Sequence, residues 1–237
     1  MTEILRLLFQ FQTEYKGSPK FISGNILRHA VSLPLNTSIG IFTDSPKLSQ
    51  PRTYEDFFLI RTKPCFLQPY FELFFDKIHN RRAFRCFFTP QFVTFDVVRP
   101  PTNLLELLKS KELIQFGGSR NCGFGEVLLQ DYLLIDLDQL EFPSKASHLT
   151  LVSPIIYFFP FIERYDCRFE EIPFWNHGSV NRIKIIAPGQ FFRLSPGKDP
   201  AKLARWGILR KIRASATLFS QFGFGEFVLH NWKGGGA

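Results

Sequence analysis

Apolar residues fall in short clusters along the chain, and their spacing predicts the elements. Ile4 to Phe11 (ILRLLFQF), interrupted only by Arg6 and Gln10, reads as a strand, and Tyr15-Lys16-Gly17-Ser18-Pro19 ends it with turn-forming residues. Ser23-Gly24-Asn25 offers a helix cap before Ile26 to Val31, where Ile26, Leu27 and Ala30 share one side and Arg28 and His29 point elsewhere. Phenylalanine-rich strands are predicted over Phe57–Arg61, Phe71–Phe75, Ala83–Phe88 and Phe92–Val98, with the basic cluster His79-Asn80-Arg81-Arg82 in a turn between two of them. After Pro100-Pro101, an asparagine-capped helix is expected over Asn103–Lys109. Ile114 to Leu129 reads as a glycine-rich loop running straight into a strand. Past a polar junction at Pro143-Ser144-Lys145-Ala146-Ser147, strands are expected over Ile155–Phe161, Ile183–Ala187 and Phe191–Leu194. A basic, partly helical segment, Lys198–Lys211, then precedes the closing stretch Ser220 to Leu229.

Strand, helix, several strands, helix, loop, strand is the order of a split βαβ unit with inserted hairpins, in which helices cover one face of an antiparallel sheet. A near-identical string recurs, Gly123-Phe124-Gly125-Glu126-Val127 and Gly223-Phe224-Gly225-Glu226-Phe227, 100 residues further on. A period of that length suggests two copies of one domain rather than a solenoid, whose repeats run about 20–50 residues. The expected fold is therefore α+β: two ferredoxin-like (RRM-like) domains with antiparallel sheets, glycine-rich loops and inserted hairpins. Residues 1–143 would form the first and 144–237 a smaller or degenerate second.

The 237 residues, 45% hydrophobic and 21% charged, suffice for a real core and exclude a disordered or coiled-coil chain. The apolar run Val152 to Ile162 is broken by proline and falls short of the ~20 residues of a membrane helix. Glu3 and Arg6 sit inside the amino-terminal apolar stretch, which does not read as a signal peptide, so a soluble, cytoplasmic protein without a membrane partner is expected. Cys65, Cys86, Cys122 and Cys167 are widely spaced without a CxxC pair, so neither metal nor disulfide framework is signalled, and no cofactor is expected. A net charge of +8 favours an anionic partner, nucleic acid first. Most of the 29 phenylalanines must be core, leaving a minority able to stack on bases.

Glycine can take positive φ and lets backbone amides approach a ligand, so Gly117, Gly118, Ser119, Arg120, Asn121, Gly123, Phe124 and Gly125 form a candidate phosphodiester cradle, with Arg120 adding a charged fork. The alternative is a tight turn that serves loop-on-sheet packing. No Gly-Lys-Ser/Thr follows, so the loop is not a P-loop, and no helix follows to make it a dinucleotide fingerprint. The five histidines are scattered, without HExxH, GxSxG or a paired acidic motif. His29, beside Arg28 at a predicted helix start, is the single candidate general acid or base for RNA cleavage.

These pieces together resemble the RAMP superfamily of CRISPR-associated proteins. Phe21 to Ala30 is similar to the family's early small-Gly-x-x-Leu-Arg-Gly-Ala element, with His29 where a glycine is commoner. Phe116 to Val127 resembles its Gly-Gly-x-Arg-x-x-Gly-x-Gly loop, Gly223 and Gly225 its carboxyl-terminal glycine pair, and Pro173 to Phe192 the second-domain pattern of type III handle-capping subunits.

The resemblance implies a CRISPR RNA-binding structural subunit that holds the repeat-derived five-prime handle among other CRISPR-associated subunits of an antiviral ribonucleoprotein, and that needs no active site. On it, Arg120 and the backbone of Gly117 to Gly125 would take phosphates, with a matching turn at Gly223 and Gly225. Lys20 and Arg28 would make nearby backbone contacts, and Phe124 or Trp175 would offer stacking surfaces. Lys198, Lys202, Arg205, Arg210, Lys211 and Arg213 form a further basic run. The alternatives are the superfamily's metal-independent repeat endoribonuclease, using His29, and a subunit that binds only protein.

Overall fold

The computed structural model describes residues 2–62, 65, 67–76, 81–156, 159–163, 167–176, 179–210 and 217–231. In chain order its elements are β1 (Glu3–Phe11), α1 (Gly24–Val31), β2 (Asn36–Thr37), β3 (Ile41–Thr43), α2 (Tyr54–Thr62), β4 (Tyr70–Asp76) and β5 (Arg81–Phe87). There follow β6 (Phe92–Val98), α3 (Leu104–Ser110), β7 (Ile114–Gln115), β8 (Glu126–Asp136), β9 (His148–Leu151), β10 (Phe169–Asn176) and β11 (Ser179–Ile186). The chain ends with β12 (Phe191–Arg193), α4 (Pro200–Leu209), α5 (Thr217–Gln221) and β13 (Phe227–His230). It divides into two compact units, Glu3–Gln50 with Lys63–Ile135, and Met1–Thr2 and Pro51–Thr62 with Asp136–Ala237. We call these the N-terminal and C-terminal units.

In the N-terminal unit the sheet runs β2-β6-β1-β8-β7, with β3 also on β6. Without the insertions, β8-β1-β6-β2 is the strand order 4-1-3-2 of a split βαβ fold, with α1 after its first strand and α3 before its last. β1 and β6 pair antiparallel from Ile4↔Val98 to Gln10↔Phe92. Strand alternation puts Leu5, Leu7, Phe9, Val93, Phe95 and Val97 on one face, where they pack with Leu27 and Val31 of α1 and Leu104 and Leu108 of α3. Phe116 joins them edge-on, 5.1 Å from Phe9 and 5.4 Å from Phe95. Each such side chain withdrawn from water contributes about 1.5–3 kcal/mol, so this face dominates the unit's stability. On the other face Arg6 donates to both carboxylate oxygens of its cross-strand partner Asp96, at 2.7 and 2.9 Å, and both side chains are buried.

The C-terminal unit repeats this plan in reduced form. Its sheet is β12-β9-β13, beside the hairpin β10-β11, whose Phe174 and Ile185 cluster with Phe222 and Phe224. The run β9, hairpin, β12, α4, β13 parallels β1, hairpin β4-β5, β6, α3, β8. Among the described residues no helix lies between β9 and β10. The loop hydrogen bonds repeat as well. The Glu126 amide donates to Thr13 Oγ1, and the Glu226 amide to Ser153 Oγ. Gln12 donates to the Glu126 carbonyl as Val152 does to that of Glu226, and Gly125 donates to Glu14 as Gly225 does to Pro154. Tyr15 exchanges two bonds with Phe88 as Ile155 does with Ile186. The recurring GFGE string is thus the visible part of a duplicated backbone arrangement.

Three expectations are corrected. Phe57–Arg61 belongs to helix α2, not a strand: Tyr54, Phe57, Phe58 and Arg61 are buried at i, i+3, i+4 and i+7. Thr53 and Asp56 cap it reciprocally, the Asp56 amide on Thr53 Oγ1 and the Thr53 amide on the Asp56 carboxylate. Ile155–Phe161 makes only the single bridge at Ile155 among its described residues, while the strand of this region is His148–Leu151, immediately after the polar junction. Arg81 and Arg82 open β5 rather than occupy a turn; His79 and Asn80 lie outside the described residues. Pro51–Thr62 belongs with the C-terminal unit, where the Tyr54 hydroxyl donates to the Phe227 carbonyl and accepts from the Leu229 amide.

Candidate nucleic-acid interface

The first glycine loop joins β7 to β8 over the end of β1. Gly117 (φ +88°) and Gly125 (φ +76°) are packing glycines: a Cβ on Gly117 would clash with the Lys16 carbonyl oxygen, and a Cβ on Gly125 would overlap the Phe116 carbonyl oxygen. They press the loop onto Tyr15 and Lys16, and the Gly118 amide donates to the Lys16 carbonyl at 2.7 Å. Tyr15 is buried beneath, and that burial pushes its hydroxyl pKa up, so the floor stays neutral. Gly123 (φ +80°), by contrast, faces open space.

Between these anchors the chain makes one 3-10 turn, Arg120–Cys122, entered through Ser119 at φ +54°. The Cys122 and Gly123 amides close it on Ser119 and Arg120, whereas Arg120 and Asn121 carry the leading amides of the turn, which have no acceptor within it. Arg120, Asn121, Cys122 and Gly123 are all exposed. The Gln115 side-chain amide donates to the Arg120 carbonyl at 3.1 Å, and Arg120 is itself exposed. Lys16 is the second cation: its Nζ lies 3.3 Å from Ser119 Oγ and 5.4 Å from the centre of the Phe124 ring. Two cations thus belong to an exposed tip whose leading amides have no acceptor within the turn, an arrangement suited to a phosphate. Phe124 itself is 7% exposed and plugs the loop's base.

Lys16 escapes sequence reasoning because it is 103 residues from Ser119; its only signal is its place in the turn-forming Tyr15–Pro19 stretch. Arg28 is half-buried and His29 exposed on α1, a helix that packs against β7 at the root of the loop. Partial burial lowers the Arg28 pKa, yet a guanidinium remains charged at any physiological pH. Lys20 is exposed in the turn before α1, its amide donating to Ser18 Oγ.

The other candidates belong to the C-terminal unit. Gly223 (φ +94°) and Gly225 (φ +98°) are buried, and the amides of Gly223, Phe224 and Gly225 donate to the carbonyls of Ser220, Phe219 and Pro154. The turn sits over a buried ion pair in which Arg61 donates to Glu226 Oε2 through Nη2 at 2.6 Å and Nε at 3.1 Å. Trp175 pairs with Val180 in the hairpin, and its side chain lies outside the described set. In the basic run, Arg210 is buried with its guanidinium on the carbonyls of Ser220 and Ile208, and Arg205 pairs with Asp138 at 2.8 Å. Lys198 and Lys202 are exposed, and Lys211 and Arg213 are outside the described residues. Cys65, Cys86, Cys122 and Cys167 are free thiols, and no cluster of three or more metal-ligating side chains occurs among the described residues. No helix among these residues is long and apolar enough to cross a membrane.

No family model and no curated protein matches the chain. Solved structures resembling it include a chain of the type III-B Cmr-beta bound to cognate target RNA and AMPPnP, at 9% identity and TM-score 0.44, covering 95% of this chain and 94% of that one. A CRISPR associated protein Cas6 aligns at 13% identity and TM-score 0.43 over 98% of this chain and all, 100%, of its own. A chain of the Csm3-Csm4 subcomplex of the type III-A CRISPR-Cas interference complex aligns at 10% identity and TM-score 0.42, covering 84% and 94%.

Proposed function

We propose that this chain is an RNA-binding structural subunit of a type III CRISPR-Cas effector complex, working in the cytoplasm, and that it holds the repeat-derived five-prime handle of a CRISPR RNA on the loop Gly117–Gly125. The observation that carries the reading is the exposed Arg120–Gly123 turn flanked by Arg120 and Lys16, together with the motif order described from the sequence. In this role Arg120 and Lys16 pair with phosphates and the Arg120 and Asn121 amides donate to them, while Gly117 and Gly125 hold the loop against β1. Lys20 and Arg28 extend the track at the start of α1. Gly223 and Gly225 serve the duplicated packing arrangement instead of a second cradle.

The test is anisotropy with a labelled handle RNA and a scrambled control. Phosphate contacts predict a steep fall of affinity with salt, flattened in Arg120→Ala. A handle-holding role predicts in addition tighter binding of the handle than of the scrambled RNA, since phosphate contacts alone do not discriminate sequence. A salt-independent, sequence-blind response would favour a protein-only subunit. Cleavage of repeat RNA in chelator that vanishes in His29→Ala would establish the endoribonuclease reading in its place.

A further inference from the structure

On the sheet of the C-terminal unit, one face of β12 and β9 carries an aromatic platform beside a cationic cleft. Phe191 is 47% exposed, and its ring lies parallel to the His148 imidazole, centroids 4.6 Å apart and planes 12° from coplanar. His148 is held in turn, its Nδ1 2.9 Å from Ser147 Oγ. His230, paired with His148 across β13, leaves its ring 6.3 Å from that of Phe191. Apolar surface of this size on a strand is normally buried; here it is braced flat by an imidazole and stays about half exposed.

Two residues along β12, and so about 7 Å away on the same face, stands Arg193, the cross-strand partner of His148. It lines a cleft of about 210 Å³ with Lys198, Ser147, Ser195 and Gly197. Its acidic neighbour Glu163 is 3.9 Å away, and both side chains are substantially exposed, so that pair is weak and gives way to a phosphate.

We propose that this face binds one nucleotide of a single-stranded RNA, the base stacked on Phe191 and its phosphate in the Arg193–Lys198 cleft. An aromatic face with a cation one nucleotide's reach away is what sequence-tolerant single-strand binding requires. The cleft is smaller than the ~300 Å³ at which small-molecule pockets begin, and the platform is open, so the occupant is a strand tethered by neighbouring contacts rather than a free nucleotide. The site uses no residue of the glycine loop and stands or falls independently of it.

A short oligoribonucleotide carrying 5-iodouracil is irradiated with the full chain, and the crosslinked peptide is mapped. The expected result is a crosslink at Phe191 that unlabelled RNA competes away, with binding weakened about 10-fold in Phe191→Ala and in Phe191→Leu, which keeps apolar bulk without a π face, and restored in Phe191→Tyr. Arg193→Ala with Lys198→Ala is expected to lower the salt dependence as well. Crosslinks confined to residues 117–125, wild-type affinity in both Phe191→Ala and Phe191→Leu, or competition by AMP as strong as by RNA would each overturn the proposal. A Phe191 crosslink that persists when Arg120→Ala leaves binding untouched would uphold it while removing the glycine-loop reading.

Discussion

The turns Gly123–Glu126 and Gly223–Glu226 share a sequence, left-handed glycines and the same bonds to a preceding strand end, yet they sit in opposite surroundings. In the N-terminal unit the residues before the glycines form an exposed 3-10 turn, and Glu126 is only half-buried. In the C-terminal unit they are α5 and Phe222, which fold onto the hairpin core, and Glu226 is fully buried against Arg61. The backbone device is one thing and its use another. A GFGE turn fixes how a chain enters a strand; whether it meets a ligand depends on what the flanking residues cover.

The largest difference should appear on deleting the two glutamates. Glu226→Ala leaves the Arg61 guanidinium buried without its counter-charge, which costs about 3–5 kcal/mol, whereas Glu126→Ala should stay within about 0.5 kcal/mol. Denaturant midpoints measure both, and equal shifts would erase the contrast. Next come the glycines of the first loop. Gly125→Ala drives a Cβ into the Phe116 carbonyl and forces a left-handed alanine, for about 3 kcal/mol or more of lost stability. Gly123→Ala meets nothing and loses only the conformational part, about 1 kcal/mol. If both alanines cost the same, Gly125 is not the packing glycine described.

Charge sharpens the comparison further. Lys16→Ala and Arg120→Ala should each lower the slope of log affinity against log salt by about 0.7 while leaving the unfolding midpoint nearly unchanged. Arg210→Ala, which strips a buried side chain from the carbonyls behind the second turn, should do the reverse and destabilise without altering that slope. A salt slope that responds to Arg210 and not to Lys16 would move the interface to the other unit.

What the amino-acid order disclosed follows from the range of the forces involved. β6 was legible because Phe92 to Val98 is rich in phenylalanine and valine and bounded by turn residues, and the duplicated units were legible because the GFGE string is local. Helix α2 was not, since Tyr54, Phe57 and Phe58 favour strands by type while their spacing and the Thr53–Asp56 cap favour a helix. β9 hid in four residues next to a polar stretch. In the site, Arg120 and the loop glycines could be read from composition. The closing of the second turn could not, because it depends on Arg61, 165 residues distant from Glu226.

That dependence yields the smallest expected effect. Arg61 is presented from α2, and α2 is started by the Thr53–Asp56 cap. Hydrogen bonds from the Thr53 amide and hydroxyl and from the Arg52 amide hold the Asp56 carboxyl below its ordinary pKa. A carboxyl whose folded pKa is depressed binds fewer protons folded than unfolded, so its stabilisation is present above the unfolded pKa near 3.9 and is lost as pH falls through the folded value. Asp56→Asn keeps a capping oxygen but removes the titration. Urea midpoints of the two proteins should therefore differ slightly at neutral pH and converge below about pH 4. Because the cap is exposed, the gap is small and shrinks in salt. If the gap instead widened in acid, the carboxylate would not be what starts α2, and the second turn would owe its closure to Arg61 packing alone.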